Sequence, residues 1–178
     1  MGAFEHLGGE QVWSGRIASV RVDRFRHADG EEVSREIVSH PGAVAVLAHD
    51  GERLYMVAQP REAVGEPAFV ELPAGKLDEE GEDPLATAKR ELAEEIGKGA
   101  RSWRHMKTFY SSAGFSDEEI HVYLATDLYD QSAETEENER IEVQTVPLDR
   151  LDEAIAASRD AKSLIGLLWF RAYRDGGR

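Results

Sequence analysis

The sequence predicts a mixed α/β domain built in layers, because strand-like segments flank one strongly marked helix and helix-like segments close the chain. The apolar segment Ala43 to Ala48 is typical of a strand buried on both faces. Asp50-Gly51 then predicts a hairpin whose second strand runs over Leu54 to Ala58. A helix is predicted between Asp83-Pro84, a favoured N-cap followed by proline at the first helical position, and a stop at Gly97.

The remaining predicted elements are shorter. In the first 40 residues, 12–22 and 33–38 alternate apolar and polar side chains, and 27–31 predicts a turn between them. We expect these strands to form a small sheet of their own, so that the chain divides into an N-terminal region, 1–40, and a main domain, 41–178. Further strands are predicted over 69–72, 103–110, 120–126 and 141–146, and further helices over 148–158 and from residue 161, which Asp160 would cap.

The composition is that of an ordinary globular protein, since 41% of the 178 residues are hydrophobic and 31% are charged. The longest apolar run, 43–48, is too short to cross a bilayer, and the first residues lack the features of a secretory signal, so we expect a cytoplasmic protein. The chain has no cysteine, which excludes disulfides, thiolate nucleophiles and zinc–thiolate sites. The net charge of −14 leads us to expect neither nucleic acid nor an anionic membrane as a partner.

The predicted helix carries three carboxylates close together, Glu91, Glu94 and Glu95. At about 100° per residue, Glu95 lies about 40° from Glu91 around the helix, and Glu94 lies about 60° to its other side. Like charges at these spacings destabilise a helix unless a cation offsets them. Two interpretations are open: a solvated acidic face paired with Lys89 and Arg90, or a site for Mg²⁺ or Mn²⁺, which prefer rigidly held oxygen ligands and often bind together with substrate phosphates.

The stretch from Gly75 to Lys98 resembles the Nudix box, whose pattern is G-x5-E-x7-R-E-U-x-E-E-x-G-U, where U is apolar. From Glu82 the match is continuous through Gly97. Two positions differ, because six residues instead of five separate Gly75 from Glu82 and Lys98 stands at the last apolar position. An extra loop residue costs little free energy, and neither difference removes a carboxylate. The resemblance implies the Nudix fold, a mixed β-sheet within an α/β/α sandwich.

The resemblance also implies roles for the residues of this stretch. Glu91 and Glu95 would be the principal metal ligands, with Glu94 close by and the main-chain carbonyl of Ala74 as a further ligand. The metal, Mg²⁺ or Mn²⁺, would neutralise a diphosphate and activate or orient a water molecule for attack on phosphorus. Glu82 and Arg90 would pair and hold loop and helix in register. The structural positions of the box are thus Gly75, Glu82 and Arg90.

Beyond the box, the chain resembles the ADP-ribose pyrophosphatase subfamily from about Trp13 to Trp169. The matching stretches are 35–38, 40–47, 59–61, 71–78, 112–118, 137–139, 141–143 and 160–163. The resemblance implies hydrolysis of the diphosphate of ADP-ribose to AMP and ribose 5-phosphate. It also implies a homodimer whose N-terminal strands exchange, so that each active site borrows residues from the partner subunit.

The same resemblance implies four substrate-binding residues. Arg35 would stack on the adenine, and Glu36 would form a hydrogen bond near it. Arg61 would hold the phosphates and the terminal ribose, because a guanidinium group is planar, always charged and able to make forked contacts. Glu71 would belong to the substrate or metal shell.

The acidic loop 134–139 would deliver the general base, with Glu137 at the matching position and Glu139 in reserve. The alternative interpretation of this loop is a solvated acidic tip. Ala113, Arg16 and Pro60 depart from the subfamily pattern at positions that concern the substrate rather than the reaction type. Two other functions therefore stay open: a pyrophosphatase for another nucleoside diphosphate sugar, and a non-catalytic Nudix-fold module that binds nucleotides.

Overall fold

The computed structural model describes residues 3–77, 81–131, 133 and 140–176. In that part of the chain, the strands are β1 (Phe4–Ser14), β2 (Ser19–His27), β3 (Glu32–Ser39), β4 (Ala43–His49), β5 (Arg53–Arg61), β6 (Glu66–Glu71), β7 (Ala74–Lys76), β8 (Lys98–Tyr110), β9 (Glu119–Asp130) and β10 (Glu142–Pro147). The α-helices are α1 (Pro84–Ile96), α2 (Leu151–Ala157) and α3 (Ala161–Arg174), and short 3₁₀ helices form at Glu62–Val64 and Leu148–Arg150.

Two compact units make up the chain. The first holds the described residues up to Gly42 together with 109–119, and the second holds 43–108 and the residues from Ile120 onward. The division expected from the sequence lies at residue 40 and had placed 109–119 in the main domain. The role expected for the N-terminal region in dimerisation stays a prediction.

The first unit contains an antiparallel sheet in the order β1-β2-β3. The sequence had indicated one strand over 12–22, whereas the structure turns at Gly15, whose N–H donates to the carbonyl of Ala18 at 2.9 Å, and divides that stretch between β1 and β2. Strand β1 begins as early as Phe4. Its glycines and two register irregularities interrupt the alternation of apolar side chains, which explains why the pattern did not show it.

The second unit confirms the Nudix-type layering of a mixed sheet between helices. Its main strand order is β10-β5-β4-β9-β8, with β6 beside β5 and β7 beside β4. Strands β4 and β9 run parallel, whereas β4 and β5 run antiparallel. Val44 and Val46 pack against Leu92 of α1 on one face of the sheet. On the other face, α3 approaches Val122 and Leu72 at Gly166.

The helix that carries the carboxylates begins and ends where the sequence predicts. The side chain of Asp83 accepts a hydrogen bond from the N–H of Leu85, and Gly97 ends the helix with φ 67°, in the left-handed region that favours glycine. The predicted cap of α3 is also present, since Asp160 accepts from the N–H of Ser163. No helix in the described part of the chain is long and apolar enough to span a membrane.

Candidate active site

One arginine of α1 holds a cluster of carboxylates. The Nη1 atom of Arg90 donates to Glu91 Oε1 at 2.8 Å and to Glu94 Oε2 at 3.2 Å. Its Nη2 atom lies 3.4 Å from Glu82 Oε2, an oxygen that also accepts from the hydroxyl of Thr87 at 2.8 Å. The structure therefore places Glu82 beside Arg90, across the start of the helix, and gives the single guanidinium three carboxylate partners. We call Arg90, Glu82, Glu91 and Glu94 the box cluster.

Burial and charge act in opposite directions on Arg90. Burial disfavours the charged guanidinium, but Glu91, Glu82 and Glu94 outweigh that effect and raise the pKa of Arg90 above its ordinary value. The Nε atom of Arg90 is buried and has no hydrogen-bond partner among the described residues. A buried donor without a partner costs free energy. The hydrogen bonds of Nη1 and Nη2 to the carboxylates offset this cost and hold the side chain in place.

Strand β7 lies against the carboxylate face of α1. The N–H of Ala74 donates to Glu95 Oε2 at 2.9 Å. At Gly75 there is no room for a side chain, because a Cβ atom built there would lie 2.0 Å from both Cδ and Oε1 of Glu91. Both Glu91 and Glu95 are buried. The short strand Ala74–Lys76 thus fixes the two carboxylates that the sequence singled out as principal metal ligands.

The donors at this position are all oxygen, which suits a hard divalent cation such as Mg²⁺ or Mn²⁺. The three carboxylates of the box cluster face one arginine, and Glu95 adds a fourth carboxylate on the same helix, so negative charge is in excess. Across the described residues, no three acidic or histidine side chains converge closely enough to form an ion site as they stand. Arg90 instead supplies the positive charge among them. The chemistry of the donor set fits a metal, and Glu91, Glu94, Glu95 and the carbonyl of Ala74 are the residues available to hold it.

A second cluster surrounds Glu71 at the end of β6. Arg61 lies 2.6 Å from Glu71 Oε1 through both Nε and Nη2. Lys162, near the start of α3, donates through Nζ to Glu71 Oε2 and also contacts Asp160 Oδ2 at 3.0 Å. Burial opposes the charge on Arg61, but the hydrogen bond to Glu71 and the negative charges of Glu71, Glu95 and Asp160 together outweigh it and raise the pKa of Arg61. We call Arg61, Glu71, Asp160 and Lys162 the Glu71 cluster.

The resemblance to the ADP-ribose pyrophosphatase subfamily implies roles for Arg61 and Glu71 but none for Lys162, although it includes the stretch 160–163. The available signal is a lysine two residues after the cap of a helix, where a cation interacts unfavourably with the helix dipole and needs another reason to be there.

The other predicted site residues lie elsewhere in the structure or outside its described part. Arg35 and Glu36 are exposed on β3 in the first unit, where Arg35 Nη1 donates to the carbonyl of Ser34 at 2.9 Å. Arg35 also lines an open cavity of about 300 Å³ in that unit, together with Phe25. Glu137 and Glu139 lie outside the described residues.

Comparison with known proteins identifies the family. The NUDIX domain model matches residues 38–166, which is most of the chain. The chain belongs to the Nudix family. Nudix hydrolases generally depend on a divalent metal ion.

This Nudix protein is similar to several named proteins. It is 45% identical over 146 residues to the ADP-ribose pyrophosphatase of Bacillus subtilis (strain 168), with 80% of this chain and 78% of that one covered. It is 40% identical over 167 residues to the methanol dehydrogenase activator of Bacillus methanolicus, with 91% and 89% covered. A crystal structure described as an ADP compounds hydrolase superposes with a TM-score of 0.86 over 99% of this chain and 96% of that one, at 21% identity, and shows the same fold.

Proposed function

We propose that this Nudix protein hydrolyses the diphosphate bond of ADP-ribose to AMP and ribose 5-phosphate, with Mg²⁺ or Mn²⁺ as cofactor. The observation that carries the proposal is the fixed pair Glu91 and Glu95, held against Gly75 and Ala74 in a cluster with excess negative charge. The relative at 45% identity, named an ADP-ribose pyrophosphatase, supports the choice of substrate.

The carboxylates Glu91, Glu94 and Glu95 and the carbonyl of Ala74 would hold the metal, which when bound would supply positive charge to neutralise the diphosphate and to orient the attacking water. Burial of Glu91 and Glu95 on a rigid helix keeps both oxygen donors in place before the ligand arrives, which lowers the entropy cost of binding. Arg90 holds Glu91 and Glu94 by the hydrogen bonds described above and so maintains their orientation.

The reaction transfers one phosphoryl group to water. The water oxygen forms a bond to one phosphorus atom of the diphosphate, the bond from that phosphorus to the bridging oxygen breaks, and the bridging oxygen leaves on the other phosphate. The proton of the water passes to a general base, for which we propose Glu137, with Glu139 as the substitute. For the phosphates we propose Arg61 as the contact. Its guanidinium is fixed on one side by Glu71, and its exposed side can form hydrogen bonds to phosphate oxygens.

The base is tested by Glu137→Gln and Glu139→Gln, each compared with the parent protein. Loss of the base should lower kcat by about 10²–10⁴-fold and leave the affinity for substrate nearly unchanged, because a base acts only as the water is deprotonated. If both variants keep near-full kcat, the loop is a solvated tip, and Glu94 becomes the candidate base.

We further propose a homodimer in which the N-terminal strands are exchanged and Arg35 and Glu36 contact the nucleotide. The first unit exposes several large apolar side chains, which favours their burial against a second subunit: Phe4, Val12, Trp13 and Ile17. The variant Val12→Glu/Trp13→Glu should turn a dimer into a monomer in light scattering and should lose activity with it. An active monomer at full length would contradict the shared site. A cytoplasmic location stays a prediction.

The substrate is tested by comparing kcat/KM for ADP-ribose with the values for ADP-glucose, GDP-mannose, NADH and diadenosine polyphosphates, with Mg²⁺ or Mn²⁺ present and with EDTA as control. We expect ADP-ribose to be preferred and EDTA to abolish turnover. Preference for another compound would identify a different nucleoside diphosphate substrate. Binding of these ligands without turnover would instead support a non-catalytic nucleotide-binding module.

One relative favours a second candidate function. The protein from Bacillus methanolicus is named a methanol dehydrogenase activator, and it matches this chain over 91% of its length. The second candidate is therefore activation of a methanol dehydrogenase. The rate of that dehydrogenase with and without this protein tests it, and an unchanged rate would remove the candidate.

A further inference from the structure

The carboxylate of Glu71 is held at both of its oxygens. Its side chain is only 1% exposed, Oε1 accepts from Arg61 at 2.6 Å, and Oε2 accepts from Lys162. Charge-assisted hydrogen bonds of this kind are shorter and stronger than those between neutral groups. Arg61 and Lys162 bind different oxygens of the Glu71 carboxylate. Lys162 therefore helps to set the orientation of the carboxylate that Arg61 contacts.

Lys162 is itself fixed by the start of α3. Its side chain is 12% exposed, and Nζ lies 3.0 Å from Asp160 Oδ2. Asp160 caps the helix by accepting from the N–H of Ser163 at 3.0 Å, and the hydroxyl of Ser163 accepts from the N–H of Leu72 at 2.7 Å. The first turn of α3 therefore contacts two consecutive residues of the chain, the side chain of Glu71 and the backbone of Leu72.

Arg61 is the member of the Glu71 cluster that reaches solvent. Its side chain is 41% exposed, and within the described part of the chain its Nη1 atom has no hydrogen-bond partner. The charges alternate from Arg61 to Glu71, Lys162 and Asp160, so the four groups balance. A guanidinium held from behind by a carboxylate and open on its other edge is suited to an anionic ligand.

We propose that Lys162 is a positioning residue that fixes Arg61 for the diphosphate of the substrate, acting through Glu71. This inference rests on the proposed function, because it takes Arg61 as the phosphate contact. Lys162 does not touch the substrate. Its loss leaves Glu71 Oε2 without its cation, the carboxylate turns, and the guanidinium of Arg61 turns with it. Substrate binding should weaken while the chemical step, carried by the box carboxylates and the base, proceeds at nearly the same rate.

The experiment is a double-mutant cycle of Lys162→Met and Arg61→Ala. Lys162→Met alone should raise KM for ADP-ribose by about 10- to 100-fold and change kcat by less than about threefold. In the Arg61→Ala background, Lys162→Met should add less than about threefold to KM, because the residue it positions is gone. Lys162→Arg should keep KM near that of the parent protein. Independent, multiplying effects of the two substitutions would overturn the inference.

A binding measurement separates this inference from the proposed function. The Kd for ADP-ribose is measured by calorimetry in EDTA, so that no turnover occurs. Lys162→Met should raise this Kd in the parent protein but change it little in the Arg61→Ala background. If the coupling appears in Kd but the parent protein hydrolyses nothing, the proposed function fails and the inference stands. If turnover occurs without coupling, the inference fails alone, and if ADP-ribose does not bind, both fail.

Two further variants control for folding. Arg150→Ala removes an exposed ion pair with Glu153, whose atoms lie 2.5 Å apart, and should leave KM unchanged. Lys162→Gln, which keeps a hydrogen-bond donor but no charge, carries the same cycle if Lys162→Met does not fold.

Discussion

The two charged clusters of the second unit both combine basic and acidic side chains, but they differ in the balance of charge. In the box cluster, Arg90 faces the three carboxylates of Glu82, Glu91 and Glu94. In the Glu71 cluster, two cations alternate with two carboxylates. Excess carboxylates repel one another unless a cation joins them, whereas a balanced set can persist without a ligand. We propose that the imbalance marks the place for a metal and that the balance marks a rigid support.

The clusters also differ in how their members are brought together. Arg90, Glu91 and Glu94 lie within one turn of α1, so helix geometry alone gathers them. Glu71 and Lys162 lie 91 positions apart and meet only because α3 packs beside the end of β6. The predictions below test whether the carboxylates of α1 carry activity and the Glu71 cluster carries stability and orientation, from the largest expected effect to the smallest.

Glu95→Gln should have the largest effect on activity. The substitution removes a proposed metal ligand but keeps the shape of the side chain, and kcat/KM should fall by at least about 100-fold, because a metal contributes several kcal/mol to such reactions. Part of the loss should return at high Mg²⁺, since weaker binding is offset by concentration. The matched control is Glu153→Gln, an exposed glutamate of α2, which should not change kcat/KM. A Glu95→Gln protein with parental activity would remove Glu95 from the metal site.

Glu71→Gln should have the largest effect on stability. The carboxylate is 1% exposed and is the shared partner of Arg61 and Lys162, so its loss leaves both cations facing a neutral amide. Breaking a buried pair costs about 3–5 kcal/mol, and the partial exposure of Arg61 reduces the expected loss to about 2–3 kcal/mol in the free energy of unfolding. Urea denaturation measures it.

Glu94→Gln is the counterpart in the box cluster. It should leave the free energy of unfolding unchanged or raise it by up to about 0.5 kcal/mol, because it relieves repulsion between neighbouring carboxylates. An equal destabilisation by Glu71→Gln and Glu94→Gln would contradict the distinction between a balanced and an unbalanced cluster.

Gly75→Ala tests the steric fit between β7 and α1. The added methyl group would lie 2.0 Å from atoms of Glu91, so strand and carboxylate must move apart. Overpacking of this kind costs about 1–3 kcal/mol. For a chain of this length, each kcal/mol lost should lower the melting temperature by roughly 2–4 °C. The control is Gly114→Ala, where a Cβ atom has nothing within 4 Å and should leave the melting temperature unchanged. Equal melting temperatures for the two variants would show that the contact yields without cost.

The sequence could predict the features that depend on neighbouring residues. The limits of α1 followed from Asp83, Pro84 and Gly97, and the grouping of Glu91 with Glu94 and Glu95 followed from helical spacing. Strand β7 was not predicted, because Ala74–Lys76 has no strand-forming side chains and becomes a strand only by pairing with β4. The contact of Lys162 with Glu71 could not be predicted for the same reason, since it exists only once α3 packs on the sheet.

The smallest expected effect is on the pH dependence of stability, and it involves His49, which belongs to neither cluster. Burial lowers the pKa of His49, Asp50 opposes this and Arg174 adds to it. The ring lies 5.1 Å from that of Phe170 on α3, and Nδ1 accepts from the N–H of Gly51 at 3.1 Å, a bond that protonation of Nδ1 would remove. A lowered folded pKa means that the unfolded chain binds more protons near pH 6.

The contribution of His49 to stability is therefore fully present above the unfolded pKa, about 6.5, and is lost as the pH falls below it. His49→Gln cannot titrate, and its amide oxygen can still accept from Gly51. The free energy of unfolding, measured in urea at pH 7.5 and pH 5.5, should fall less in His49→Gln than in the parent protein. If the free energy of unfolding falls equally in both proteins between pH 7.5 and pH 5.5, the loss comes from carboxylates and not from His49.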